Sequence, residues 1–136
     1  ILNVISEDKA IFLDIKDTSV TREDLLRVFQ GKDFKEIILG NRSVNYLDRF
    51  ANMPDGFVKI LNGNVFCNFY NLAKLKEKGY KYFEAVFSFQ VNAKTFQRVQ
   101  RSGLMFRISG LGFWSRESYW RTIDKYNISH VSSDFI

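Results

Sequence analysis

Within its first forty residues the chain changes hydrophobic period twice, and that switch restricts it to folds that layer helices against a sheet. Ile11, Leu13 and Ile15 alternate with Phe12 and Asp14, the period of a half-buried strand. Thr21 then offers a side-chain oxygen to a helix start, Glu23 and Asp24 suit its positive end, and Leu25, Leu26, Val28 and Phe29 follow at helical spacing. Gly31 stops the helix, and residues 34–39 return to strand-like composition before Gly40-Asn41.

The rest of the chain reads in the same alphabet. Val44, Tyr46, Leu47 and Phe50 predict a short helix that Pro54 brings to an end. Residues 57–61 and 64–69 read as strands flanking Asn62-Gly63, a dipeptide that tolerates the positive φ angles of a tight turn, so a hairpin is expected there. Asn71 to Lys78 predicts a helix with Leu72, Ala73 and Leu75 on its apolar side and Lys74, Lys76 and Lys78 on its wet side, stopped by Gly79. A strand follows over Tyr82 to Val91. Beyond it, Met105 to Ser109 reads as a strand, Ser115 as the cap of a helix holding Tyr119, Trp120 and Ile123, and Ile128 to Val131 as a further strand.

Composition narrows the chemistry. With 46% hydrophobic residues and 14 phenylalanines among 136 residues, there is material for one packed core of ordinary domain size. A lone Cys67 excludes an internal disulfide, and with His130 the only histidine, a common Cys/His zinc site is not available. No stretch reaches the ~18 to 20 apolar residues of a membrane span, and the acidic start at Glu7 and Asp8 does not read as a signal peptide. The expectation is a soluble domain excised from a longer intracellular protein, cytoplasmic or nuclear, without membrane, metal or cofactor. The motifs of nucleotide-binding loops, serine hydrolases and zinc proteases are absent, so an enzyme is not expected. A dyad of Cys67 and His130 is arithmetically open, but strand alternation puts Cys67 on an apolar side as a buried thiol.

The net charge of +5 is unevenly spread. The first 34 residues carry more acid than base, whereas residues 92–121 hold Lys94, Arg98, Arg101, Arg107, Arg116 and Arg121 against Glu117. Cationic density beside aromatic residues is the footprint expected of a polyanion-binding surface, and a solvated face is the plainer reading of the same residues.

In element order and in two short segments the chain resembles an RNA-recognition motif. Ile11-Phe12-Leu13 matches the opening of that family's first signature strand, with Asp14 in place of the usual residue further on; Gly63, Phe66 and Phe69 fall on positions of the second signature, which Asn62 and Asn64 do not match. Gly110-Leu111, with Phe113 and Trp114 in the following loop, is similar to the start of a second, degenerate unit. The resemblance implies an α+β, ferredoxin-like antiparallel sheet of βαββαβ order over residues 1–91, with two helices on one face. Residues 92–136 become a basic, aromatic βαβ extension or the opening of a second unit.

It further implies non-catalytic binding of single-stranded RNA. Phe12 and Phe66 would stack bases, Phe113 and Trp114 would add loop contacts, and Lys94, Arg98, Arg101 and Arg107 would neutralise phosphates. Asp14 and Glu84 on the same face work against phosphate. The alternative is a protein-interaction module that uses the same sheet face for an apolar partner.

Overall fold

The computed structural model describes residues 6–64, 70–86, 92–109, 116–128 and 130–132. Strands β1 (Ala10–Asp14), β2 (Glu36–Asn41), β3 (Phe57–Asn64), β4 (Tyr80–Val86), β5 (Met105–Ser109) and β6 (His130–Ser132) alternate with helices. The helices are α1 (Arg22–Val28), α2 (Val44–Leu47, continued by a 3-10 turn over Asp48–Phe50), α3 (Leu72–Glu77), α4 (Ala93–Arg101) and α5 (Arg116–Tyr126). The strands form one six-stranded sheet in the order of the chain, β1-β2-β3-β4-β5-β6, and every neighbouring pair is parallel.

The antiparallel, ferredoxin-like sheet of an RNA-recognition motif is therefore not the fold. Its two signature strands would lie side by side at the centre, whereas β1 is at the edge and β2 separates it from β3. The tight hairpin at Asn62-Gly63 is also absent, because both residues lie inside β3. A parallel pair needs a crossover of about a dozen residues rather than a two-residue turn, and α3 occupies that crossover. Residues 105–109 and 130–132 continue the same sheet beyond β4.

Strand starts at residues 10, 36, 57, 80, 105 and 130 show that a βα unit returns every 21 to 26 residues. Local chemistry fixes each helix. Thr21 closes a reciprocal capping box with Asp24 at the start of α1, Asn71 accepts from the Lys74 amide at the start of α3, and Asn92 accepts from the Thr95 amide at the start of α4. Helix α3 ends at Gly79, whose φ of +81° is a conformation that a side chain would strain.

All the described helices pack on one face. Leu25, Phe29, Tyr46, Leu47, Leu72, Leu75 and Val99 share a core with the strand residues Ile11, Ile37, Leu39, Leu61, Phe83 and Ile108, and Ile123 and Tyr126 of α5 pack against it. The opposite face holds a separate small core of Ile38, Ile60 and Tyr82, with Phe12 and Val58 against it. Burial on both faces explains why β2 reads as the unbroken run Ile37-Ile38-Leu39. In β4, Lys59 opposes Tyr80 while Ile60 opposes Tyr82, so Lys81 is an extra residue in the register. That bulge lets Tyr80 face the helices and Tyr82 face the other way, although the two are separated by one position.

With every helix on one side, the sheet curls away from them. The Arg107 guanidinium carbon on β5 lies 4.1 Å from the centre of the Phe12 ring on β1. In a flat sheet those strands would be about 19 Å apart, beyond the reach of the two side chains.

Candidate functional site

Of the eight binding residues expected from the sequence, those among the described residues fall on two opposite surfaces. Phe12 is on the concave face, half-buried, capped by the Arg107 guanidinium in a cation–π contact. Arg107 in turn pairs with Glu84 on the neighbouring strand at 3.2 Å, both side chains largely withdrawn from water. Its charge is thus engaged inside the curl. Phe66, Phe113 and Trp114 lie outside the described residues, as does Cys67.

The rest of the concave face carries further polar contacts, although the buried Asn62 Oδ1 has no hydrogen-bond partner among the described residues. Asn62 donates to Asp14 Oδ1 at 3.2 Å, passing over Gly40 of the intervening strand, and Asp14 pairs with Lys16 at 2.7 Å. Gly40 is required there: a Cβ would come within 2.5 Å of Asn62 Nδ2 and 2.7 Å of the Phe12 ring. Toward the other strand ends, Glu36 accepts from the Tyr82 hydroxyl at 2.6 Å and from the Lys81 ammonium. Burial, and then the bond to Glu36, raises the Tyr82 phenol above its ordinary pKa; the same carboxylate raises that of Lys81. Asp14 and Glu84 do lie on the Phe12 face, as strand alternation predicts.

Lys94, Arg98 and Arg101 are elsewhere, on α4 in the convex helical layer. There they meet α3. The Arg98 guanidinium donates to the carbonyl of Tyr70, just before the Asn71 cap, and a cleft of about 500 Å³ is bounded by Tyr70 to Ala73 on one side and by Arg98, Arg101 and Ser102 on the other. Just after α4, Gly103 abuts the Lys76 side chain: a Cβ built there would sit 3.7 Å from Lys76 Cε.

Helices α3 and α4 thus present Lys74, Lys76, Lys94 and Arg101, all exposed, beside the half-buried Arg98. Among the described residues, Lys74, Lys76, Lys94 and Arg101 form no ion pair. Glu77 is the one acidic residue on the two helices. The other helices mix their signs, as with the Arg121–Glu117 pair on α5 and the Arg27–Asp24 pair on α1.

Sequence reasoning assigned Lys74 and Lys76 only to the wet side of a helix. The signal that brings them into the site is topological: consecutive helices of a parallel sheet wound in chain order are neighbours. No group of three described His, Cys, Asp or Glu side chains could hold a metal ion, and no described helix is long and apolar enough to cross a membrane. The chain is thus an all-parallel βα domain with a cationic helical face; no family model, curated protein or solved structure matches it.

Proposed function

We propose that the domain is a non-catalytic binding module for single-stranded nucleic acid, engaged through the phosphates by the α3–α4 face. The observation that carries this reading is the set of exposed, unpaired cations from two neighbouring helices, Lys74, Lys76, Lys94 and Arg101, in a chain of net charge +5. Surface cations without carboxylate partners keep their counterions, and release of those counterions to a polyanion drives association. Base stacking on Phe12 is not part of the proposal, since that ring is under Arg107. A reducing compartment, cytoplasm or nucleus, suits such a ligand and the single cysteine.

The test is fluorescence anisotropy of a labelled, unstructured RNA titrated across a range of salt. Affinity should fall steeply with salt. Replacing Lys74, Lys94 and Arg101 together by Glu should flatten the logarithmic salt slope by about 2, from roughly 0.7 per lost phosphate contact, and leave the Tm nearly unchanged. Phe12→Leu should leave affinity unaltered. Absence of saturable binding at low salt would overturn the reading in favour of an acidic protein partner on the same face.

A further inference from the structure

A second feature is independent of the cationic face. On β3, Phe57, Lys59 and Leu61 share the helix-facing side, so a lysine stands at a core position. Its register neighbours are Leu39, fully buried, and Tyr80, 1% exposed; Lys59 itself is 6% exposed. The ammonium lies 4.7 Å from the centre of the Tyr80 ring. Among the described residues it forms no ion pair and no hydrogen bond. Asp48, the acid that acts on it, is already engaged: its carboxylate receives Lys78 at 2.5 Å and the Tyr80 hydroxyl at 3.3 Å.

Lys59 lines a cleft of about 390 Å³ between the 3-10 turn after α2 and the end of α3. Leu39, Phe50, Met53 and Phe57 give it apolar walls, and Glu77, Lys78 and Gly79 border it where α3 stops. Gly79 contributes no side chain, which leaves the Lys59 stem open on that side. Burial, with Lys78 adding repulsion and Asp48 opposing both, lowers the pKa of the Lys59 ammonium. Asp48 acts on the Lys59 ammonium without bonding to it, so an anion in direct contact would offset the cost of holding that cation in a largely apolar cleft.

We infer that this cleft binds a small amphiphilic monocarboxylate, its carboxylate on Lys59 Nζ and its apolar body against Phe50, Met53 and Phe57. The volume is in the lower range of small-molecule sites, and the charge-assisted hydrogen bond to Lys59 sets the orientation.

Calorimetric titration of the full chain with 3-phenylpropionate and with the isosteric 3-phenylpropionamide tests this. The carboxylate should saturate the protein at least tenfold more tightly than the amide, and Lys59→Met should erase that preference. Equal affinity for the two ligands, absence of saturation by the carboxylate, or a preference that survives in Lys59→Met would each overturn the assignment. The comparison on the wild-type chain needs no variant, so it decides the matter even if Lys59→Met does not fold.

Discussion

The concave face and the α3–α4 face are both rich in charge, yet they handle it in opposite ways. Inside the curl, Arg107 caps Phe12 and pairs with Glu84, Asp14 takes Asn62 and Lys16, and Glu36 takes Lys81 and Tyr82. On the helical layer, Lys74, Lys76, Lys94 and Arg101 are left to solvent. Charges withdrawn from water must be matched to be tolerated, so the Arg107–Glu84 pair belongs to the architecture of the sheet, while the Asp14–Lys16 and Glu36–Lys81 pairs are matched at its wetter margins. Charges in water cost little when unmatched, so the fold does not require the second set to be paired, and the proposed polyanion is what would match it.

Substitutions on the two faces should therefore behave differently. The largest effect is expected from Glu84→Ala, which leaves the Arg107 guanidinium buried without its carboxylate and should cost about 3 to 5 kcal/mol in chemical denaturation. Replacing both partners by apolar residues, Glu84→Leu with Arg107→Met, should recover most of that loss, because the penalty comes from the orphaned charge. If the single variant is as stable as wild type, the concave pair is not structural and the contrast fails.

A smaller loss, about 1 to 3 kcal/mol, is expected from Gly40→Ala. The new methyl would press on Asn62 and Phe12, which are themselves held by Asp14 and Arg107. By comparison, the triple Glu variant on α3 and α4 should change stability by under about 0.5 kcal/mol while altering RNA binding, since it disturbs no packed contact.

The smallest expected effect is a pH dependence from the other end of the concave face. Tyr82 and Lys81 both have raised pKa values in the folded chain, through burial and Glu36 for the phenol and through Glu36 for the amine. The unfolded chain therefore releases these protons first. Their stabilising contribution is complete below the ordinary phenol and amine values, 10.0 and 10.5, and is lost as pH rises through the folded-state values. Tm measured from neutral to strongly alkaline pH should decline above about pH 10, and Tyr82→Phe should decline less steeply.

Much of the element list was legible in the residues. The alternation of Ile11, Leu13 and Ile15, the Thr21 cap with Asp24, and the Asn71-to-Gly79 helix are local signals, and each element formed where its signal lies. Helix α4 was overlooked because its buried side chains are only Thr95 and Val99, set among cations that mask the helical stripe. Its Asn92 cap was the available clue. Asn62-Gly63 misled for the opposite reason: the dipeptide fits a turn, but Asn62 is bound to Asp14 two strands away and the strand runs through both residues.

Cationic density on residues 94–101 could be read from the chain, because charge belongs to the side chains whatever the fold. Which charges stay free could not be read: Arg107 and Lys94 look alike in sequence, and only the curl of the sheet brings Glu84 and Phe12 to the first and leaves the second in water. Hydrophobic period reports which residues are buried and at what pitch. It is silent on whether the next strand runs up or down, since either direction buries the same side chains. Strand direction, and with it the faces on which Phe12, Lys59 and Lys94 fall, follows from the helical crossover between each pair of consecutive described strands, which returns the chain to the same end of the sheet every time.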